Sequence, residues 1–228
     1  MKINKIGSRG TLFTFEEGDS AFSQDTSVYL INARDKLFLC DTHVGPKSMD
    51  VVKKYINTHG LGDKEIIVFN SHGDWDHIWG NCAFPNATII AHESCRMRME
   101  TRGESDLEKY KGKFHDGTFK LKLPNLTFDS RLKFEEYDIE FIYAPGHTED
   151  SAICYDKKDS VLFVGDLVEH PHPYLSYDDL GAYIKTLEYI KSLGVQITLS
   201  GHSGKADEKL INENISFIKK AMTEGINK

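Results

Sequence analysis

The densest group of chemically active side chains in the sequence is the run HGDWDH, which holds four potential metal ligands within six positions. The run follows the apolar segment Glu65–Ser71, EIIVFNS, which is typical of a buried strand. Residues two apart face the same side of an extended chain, so His72, Asp74 and Asp76 can converge. His77 can join them if the chain turns there. This spacing predicts a ligand cluster at the C-terminal end of a strand.

Three further side chains of the same kinds stand at the ends of other predicted strands. His147 follows the strand Ile139–Tyr143 in the turn APGHT, Asp166 follows the run VLFVG, and His202 follows ITLSG. Open α/β sheets bind ligands at the carboxyl ends of their strands. Four strand ends that each carry a His or an Asp therefore predict a metal site.

The ordered set HGDWDH, APGHT, GD and SGH resembles the metallo-β-lactamase superfamily, whose signature is HxHxDH followed by a distant His, Asp and His. The resemblance extends from Asp41, in the turn DTHVG, to His202. It implies an αββα sandwich, in which two β-sheets pack face to face with helices outside. It also implies a dinuclear metal site along one edge of the sandwich.

The resemblance assigns the ligands by position. The two implied sets are His72, Asp74 and His147 for one ion, and Asp76, His77 and His202 for the other. Asp166 would bridge the ions, and a hydroxide shared by them would be the nucleophile. Asp76 is the residue that we single out as catalytic. Asp41 resembles an outer residue that orients a ligand, and next to it His43 stands where a Gly is usual.

Asp74 departs from the signature, because a carboxylate stands where the superfamily usually has His. The added negative charge makes the site harder and shifts its preference from zinc toward iron or manganese. Three carboxylates and one hydroxide supply about −4, enough to neutralise two divalent ions. An acidic residue at this position resembles the flavodiiron and oxygen-binding diiron proteins. The alternative function is therefore a non-haem diiron protein that binds or reduces oxygen or nitric oxide, with an electron-transfer partner. The flavodoxin domain of flavodiiron enzymes has no room in 228 residues.

The favoured function is a dinuclear metal-dependent hydrolase that acts on a small ester, thioester, lactone or phosphoester. Its cofactors would be two divalent ions of zinc, iron or manganese. Hydrolysis of β-lactams is not expected, since Asp166 occupies the bridging position in place of Cys and the first ligand set lacks its third His. A third, non-catalytic interpretation has the ions serve only as structural clamps.

The amino-acid composition limits the kinds of binding partner that we expect. Lys and Arg number 28 against 35 Asp and Glu, a net charge of −7, so a nucleic-acid partner is not expected. The longest apolar runs are too short for a membrane helix, and the first ten residues have no apolar core of a secretion signal. We therefore expect a cytoplasmic protein whose four scattered cysteines are mostly small buried side chains. The oligomeric state and the roles of His43, His170 and His172 stay open.

Strands and helices have to position these ligands. The sequence predicts an α/β fold in one domain, residues 1–228. Gly, Asp and polar turns separate apolar runs with strand and helix periodicity. The predicted strands are Ser27–Asn32, Lys36–Asp41, Glu65–Ser71, Ala87–Ala91, Lys133–Tyr137, Ile139–Tyr143, Ser151–Asp156, Ser160–Val164 and Ile197–Ser200. The predicted helices are Lys47–Thr58, Asp178–Leu193 and Ala206–Met222. The segment Glu93–Leu123, rich in Lys, Arg, Glu and Gly, is expected to be the least regular part, helical and mobile, and a place for substrate-covering structure.

Overall fold

Two β-sheets packed face to face, with helices on the outer faces, form the architecture. A computed structural model describes residues 1–16, 24–114, 116–118 and 120–224. The predicted αββα sandwich is confirmed. The stretches 17–23 and 225–228 of the predicted domain, and two positions of the segment Glu93–Leu123, lie outside the described residues.

The first sheet has seven strands, whose spatial order is their order in the chain. They are β1 (Lys2–Ile6), β2 (Gly10–Phe15), β3 (Thr26–Asn32), β4 (Lys36–Cys40), β5 (Glu65–Phe69), β6 (Thr88–His92) and β7 (Leu126–Phe128). Strands β1 to β4 are antiparallel, whereas β4 to β7 run parallel. The predicted parallel, buried strands around the HGDWDH motif are thus present.

The second sheet has six strands in the order β13-β12-β11-β10-β9-β8. They are β8 (Arg131–Phe134), β9 (Ile139–Tyr143), β10 (Ala152–Asp156), β11 (Val161–Phe163), β12 (Ile197–Ser200) and β13 (Gly204–Ala206). Strand β11 pairs with β12 in parallel, and the other pairs are antiparallel. The carboxyl ends of β11 and β12 therefore lie side by side.

Five α-helices complete the described fold: α1 (Pro46–Thr58), α2 (Trp75–Ile78), α3 (Glu93–Phe114), α4 (Leu180–Ser192) and α5 (Glu208–Glu224). Helix α1 packs on the outer face of the first sheet, and α4 and α5 cover the outer face of the second. Helix α3 packs against the region of α2 through a smaller cluster centred on Trp79. Within the described ranges, no helix is long and apolar enough to cross a membrane.

The core between the sheets fixes two of the strand ends that the sequence singled out. The rings of Phe69, on β5, and Phe141, on β9, stack 4.3 Å apart in nearly parallel planes. Beyond this stack, the amide of Ala152 donates a 2.7 Å hydrogen bond to the carbonyl of Ser71. Because β5 leads to His72 and β9 leads to His147, these contacts hold the two segments at a fixed separation.

The predicted strands and helices are all present, with ends displaced by at most three residues. Four strands, β1, β2, β7 and β13, were not predicted. The segment Glu93–Leu123, expected to be the least regular and helical, is a continuous 22-residue helix as far as Phe114. The extended chain that was to align three ligands ends at Asp74, because α2 begins at Trp75. Cys40, Cys95 and Cys154 are buried thiols as expected, whereas Cys82 is half-buried.

Gly80 permits a close approach between two segments that carry site residues. A Cβ atom at this position would lie 1.9 Å from the carbonyl oxygen of Thr42, which is backbone and cannot swing away. The amide of Gly80 also donates a 3.2 Å hydrogen bond to the carbonyl of His43. The turn after β4 and the turn after α2 can therefore touch only where a residue has no side chain.

We predict that Gly80→Ala destabilises the fold. Relief of the backbone clash should lower the free energy of unfolding by about 2 kcal/mol. For a chain of this size the melting temperature should then fall by roughly 4–8 °C, as differential scanning calorimetry would measure.

Gly112→Ala, in α3, is the control, because nothing lies within 4 Å of a Cβ there. Alanine is the better helix former, so this change should raise the melting temperature slightly. Equal effects of the two substitutions would contradict the close-approach argument.

Candidate metal centre

Seven histidine and aspartate side chains meet at one edge of the sandwich. Each follows the carboxyl end of a strand: β5 and the turn into α2 carry four, and β9, β11 and β12 carry one each. The seven are His72, Asp74, Asp76, His77, His147, Asp166 and His202, all the side chains that the sequence singled out as ligands. They come from both sheets, so the site exists only once the two sheets are packed together.

The first predicted ligand set is compact. Asp74 Oδ2 lies 3.5 Å from His72 Nε2 and 3.4 Å from His147 Nε2. The ligand atoms of all three residues fall within 4.8 Å of one another. His72 and His147 are buried, while the carboxylate of Asp74 is 26% exposed and forms the open side of this set.

The second predicted set has the same dimensions. Asp76 Oδ2 lies 3.5 Å from His77 Nε2 and 3.2 Å from His202 Nε2, and the two Nε2 atoms are 3.3 Å apart. Helix α2 places Asp76 and His77 on adjacent positions of one turn. His202 reaches them from the other sheet, directly after β12.

One oxygen of Asp166 stands between the two sets. Asp166 Oδ2 lies 3.1 Å from both His77 Nε2 and His202 Nε2. The same oxygen lies 3.7 Å from His72 Nε2 and 3.8 Å from His147 Nε2. It is therefore close to every histidine of both sets, which is the arrangement that a bridging ligand needs.

These distances suit tetrahedral metal coordination. Ligand atoms bound at about 2.0–2.1 Å to a tetrahedral ion lie about 3.3 Å apart along each edge of the tetrahedron. The Asp–His separations within the two sets, 3.2–3.5 Å, are close to that value. In addition, the buried His72 Nε2 has no hydrogen-bond partner within the described ranges. A buried ring nitrogen left in this way at the centre of a carboxylate cluster fits a metal ligand.

Asp41, which is not itself a proposed ligand, is linked by hydrogen bonds to both ligand sets. Its Oδ2 accepts hydrogen bonds from His77 Nδ1 at 2.8 Å and from the Ser71 hydroxyl at 2.7 Å. That hydroxyl in turn accepts a 3.0 Å bond from His72 Nδ1. Both imidazoles are therefore held with Nδ1–H as the donor and Nε2 facing the cluster. Asp41 is fully buried and makes the orienting contact that its place in the sequence predicted.

The other two histidines are oriented from different directions. His202 Nδ1 donates a 2.8 Å hydrogen bond to the carbonyl of Asp25, so its Nε2 also faces the cluster. His147 Nδ1 is buried without a hydrogen-bond partner in the part of the chain that the structure describes. The carboxylate nearest to it is that of Glu169, at 4.0 Å. Glu169 also forms a possible ligand group with His147 and Asp166.

With no ion bound, the pKa of three histidines of the cluster, His77, His147 and His202, is raised. Burial opposes protonation of His147, but the Asp74 hydrogen bond and the Asp166 charge outweigh it and raise its pKa to about 9. For His77 and His202, likewise against burial, Asp166 and Asp76 raise the pKa well above the usual range. Burial would raise the pKa of Asp166, but the charges of His202 and His77 hold it well below its usual range.

The pKa of Glu169 is raised, whereas that of Asp166 is lowered. Burial, reinforced by the charge of Asp166, raises the pKa of Glu169 to about 7. Its backbone is fixed to α5: its amide donates to Asn214 Oδ1, and its carbonyl accepts from Asn214 Nδ2, each at 2.9 Å. Helix α5 thus sets the position of this carboxyl group beside the cluster.

An arginine from α3 also reaches the cluster. Arg98 forms an ion pair with Asp74 Oδ1 and a longer contact, 3.5 Å, with Asp150 Oδ1. Asp150 Oδ2 accepts a 2.7 Å hydrogen bond from the amide of Gly73. Burial lowers the pKa of Arg98, but the two carboxylates outweigh it, so the guanidinium stays charged.

The three histidines whose roles were open lie outside the seven-residue cluster. Burial lowers the pKa of His43 to about 3, so this ring is neutral, and it stacks on Phe15 at 4.5 Å. His170 is exposed, and its amide donates to Ser203 Oγ at 2.8 Å. His172 is exposed and stacks on Phe217 at 4.0 Å.

Sequence reasoning missed Arg98, Asp150 and Glu169. Glu169 stands three positions after Asp166 in GDLVEHPHP, so its distance from a predicted ligand was a usable signal. Asp150 likewise follows His147 closely, in HTED. Arg98 had no such signal, since it lies 24 residues from Asp74 on a charged helix.

Comparison with known proteins places the chain in a family. It matches the family model of the metallo-beta-lactamase superfamily over residues 24–202. Because this match covers well over half of the 228 residues, the chain belongs to the metallo-β-lactamase superfamily. The family that HGDWDH, APGHT, GD and SGH indicated is thereby confirmed.

Individual relatives are distant. The "Lactamase-like protein adaB" of Aspergillus niger is 25% identical over 187 residues, covering 81% of this chain and 52% of the relative. The chain thus spans about half the length of this curated relative. A metallo-beta-lactamase from Pontibacter korlensis has a TM-score of 0.77 at 16% identity, covering 96% of this chain and 98% of that one. The metallo-beta-lactamase FIM-1 from Pseudomonas aeruginosa, solved in a mono-zinc form, has a TM-score of 0.76 at 14% identity, covering 96% and 95%. These structures share the fold.

Metal binding at this centre should release protons. At pH 7.5, below the pKa of about 9 of His147, the metal-free imidazole of His147 is protonated, and the raised pKa of His77 and His202 favours protonation of those rings. A metal ligand must be a neutral imidazole, so Zn²⁺ should displace at least one proton per chain from these rings. Calorimetric titration in two buffers of different ionisation enthalpy measures this number.

The pH provides the internal control. At pH 10 the His147 ring is already neutral, so proton release should be smaller than at pH 7.5. Release that is below one proton at pH 7.5 and does not change with pH would contradict the charge state assigned to the metal-free cluster.

Proposed function

We propose that this protein is a dinuclear metal-dependent hydrolase that acts on a small ester, thioester, lactone or phosphoester. The ligands would be His72, Asp74 and His147 for one ion and Asp76, His77 and His202 for the other. Asp166 would bridge them. Zinc, manganese and iron are the candidate metals, and bound ions of this kind supply an activated water and polarise the oxygen of the bond to be cleaved.

The observation that carries this proposal is the position of Asp166 Oδ2 between two equal ligand sets. Each set pairs two imidazole nitrogens with one carboxylate oxygen at distances near the edge of a coordination tetrahedron. The shared oxygen lies 3.1–3.8 Å from all four imidazoles. A structural clamp for a single ion would need only one of these sets.

Asp76 is the residue to which we assign the catalytic role. Its carboxylate lies beside both His77 and His202, and it is 10% exposed, so water that enters the site can reach it. Asp74 is more exposed, but its Oδ1 is already paired with Arg98. Water can thus reach the carboxylate of Asp76, and this carboxylate, unlike that of Asp74, contacts other proposed ligands rather than Arg98.

The surroundings favour a small substrate. Trp75 stands between Asp74 and Asp76 and stacks on two α3 rings, Tyr110 at 5.4 Å and Phe114 at 4.8 Å. These rings form an apolar wall next to the most exposed ligand, and Arg98, 27% exposed, supplies a cation there. The net charge of −7 argues against nucleic-acid substrates.

The cellular setting and domain organisation complete the proposal. All four cysteines are free thiols, which suits a reducing compartment such as the cytoplasm. One apolar cluster contains side chains from both sheets, including Phe38, Phe69, Phe141 and Phe163. A shared core of this kind supports one domain.

Asp76→Ala should abolish hydrolysis. We expect turnover of p-nitrophenyl acetate or bis-p-nitrophenyl phosphate by the metal-loaded protein to fall at least about 100-fold, since even outer partners of metal ligands contribute about 10–100-fold. Stopped-flow or plate absorbance measures the released nitrophenolate.

Asp63→Ala is the matched control, because Asp63 is an exposed aspartate in the loop before β5. It should leave turnover unchanged. If no ester, thioester, lactone or phosphodiester in a panel is turned over with zinc, manganese or iron, the hydrolase proposal is wrong.

The diiron alternative is supported by the carboxylate at position 74 and is tested by the metal itself. Protein purified anaerobically from cells without added metal should contain near two zinc or manganese ions per chain by elemental analysis, with a featureless visible spectrum. Near two iron ions, with an absorption band that changes on exposure to oxygen, would instead identify an oxygen-binding diiron protein that requires an electron donor.

A further inference from the structure

The contact between Arg98 and Asp74 could not be predicted from the sequence. Arg98 extends from the first half of α3 to the open side of the first ligand set, where its guanidinium pairs with Asp74 Oδ1. The other oxygen, Asp74 Oδ2, is left facing His72 Nε2 at 3.5 Å and His147 Nε2 at 3.4 Å. The two oxygens of this carboxylate therefore have separate partners.

A second carboxylate holds the guanidinium in place. Asp150 Oδ1 lies 3.5 Å from Arg98, and Asp150 Oδ2 accepts the amide proton of Gly73 at 2.7 Å. The Asp150 side chain is 3% exposed, so this support is not open to competition from bulk water. Arg98 is thereby fixed relative to the residue that immediately precedes Asp74.

The charges of Asp74 and Arg98 affect the total charge of the first ligand set. Asp74 adds one negative charge where the superfamily signature has a neutral imidazole, and Arg98 adds one positive charge beside it. Asp150, on the other side of the guanidinium, adds a second negative charge, so Arg98 is shared between two carboxylates and offsets only part of the charge of Asp74. Attraction between the charges of Arg98 and Asp74 is stronger than at a fully exposed surface, since both side chains are about three-quarters buried.

We propose that Arg98 is a positioning residue that orients the Asp74 carboxylate so that one of its oxygens takes the place of the histidine nitrogen of the signature. The inference rests on the proposed function, because it takes Asp74 as a ligand. Arg98 binds Oδ1 so that Oδ2 faces His72 and His147, where it would bind an ion, and its charge offsets part of the extra negative charge of the first ligand set. The shift toward iron or manganese that the carboxylate alone would cause is then reduced.

A double-mutant cycle on metal affinity tests the pair. The four proteins are the wild type, Asp74→His, Arg98→Met and the double variant that carries both changes. Each is made metal-free and titrated with Zn²⁺ alone against a chromophoric chelator, and the dissociation constant of the more weakly held ion is measured. This readout does not depend on any substrate.

The two single changes should each weaken binding, and their combination should restore it. Arg98→Met frees the Asp74 carboxylate, and we expect a loss of about 10–100-fold in affinity, as for other outer partners of ligands. Asp74→His removes the carboxylate that Arg98 binds and leaves the guanidinium, now paired with Asp150 alone, beside the new histidine. The double variant removes that charge, so it should bind Zn²⁺ at least about tenfold more tightly than Asp74→His alone, a non-additive result.

Two further variants keep the result interpretable. Arg96→Met changes an arginine two positions away that pairs with Glu100 at 2.8 Å, and it should leave Zn²⁺ affinity unchanged. Arg98→Lys retains the charge but loses the forked geometry, so its loss should be smaller than that of Arg98→Met. Melting temperatures of the metal-free proteins identify any variant that fails to fold.

The outcomes separate this inference from the proposed function. If the wild type binds two ions while Arg98→Met has no effect, or the same effect in both backgrounds, Arg98 does not position Asp74, and the hydrolase proposal is unaffected. Tighter Zn²⁺ binding by Arg98→Met would also overturn the inference. If the wild type binds no Zn²⁺ at all, this inference is wrong, and the same titration with Mn²⁺ and Fe²⁺ decides the rest: binding of neither ion would overturn the hydrolase proposal as well.

Discussion

Charge crowding at the shared edge of the two sheets is the constraint that governs this molecule. Asp74 and Asp76 each face two imidazoles of a largely buried cluster, and Asp166 faces all four, so their like charges repel. Asp166 Oδ2 lies within 3.8 Å of the Nε2 atom of each imidazole. Without cations, the raised pKa of His77, His147 and His202 favours protons on these rings, which balance part of the negative charge. Metal ions and protons therefore compete for one set of positions, and the surrounding structure has to keep those positions fixed in either state.

The fold meets this constraint with contacts that join distant segments at the site. The Phe69–Phe141 stack sets the spacing of the two sheets directly below the ligands. Above that stack, Asp41 binds a histidine of one set directly and a histidine of the other through Ser71. At the opposite side of the cluster, the amide of Gly201 donates a 2.7 Å bond to the carbonyl of Gly165, beside Asp166. The geometry of the centre is thus a property of the whole sandwich rather than of the HGDWDH loop.

Much of this arrangement could be predicted because short segments of the sequence indicate it. A strand followed by His or Asp is visible in one short segment, and four such segments in a fixed order indicated both the fold and the seven residues that meet at its edge. Strands β1, β2, β7 and β13 were not predicted: β1 is mostly exposed, so KINKI lacks a buried apolar face, and β7 and β13 are only three residues long. The partners of the ligands were also out of reach. Arg98 and Asp74 are brought together only by the packing of α3 over α2, and no periodicity along the chain encodes that contact.

The wide separation of the proposed ligands along the chain has a consequence for the abundance of the folded protein. His77 and His202 are 125 residues apart, so an unfolded chain would have to close a very long loop to hold one ion with both. An ion therefore binds the folded chain almost exclusively and draws the folding equilibrium toward it by mass action. A free-ion concentration of 100 times the dissociation constant adds about 2.7 kcal/mol to the free energy of unfolding. The supply of metal in the cell would then set the resistance of this chain to unfolding and proteolysis, in addition to its chemistry.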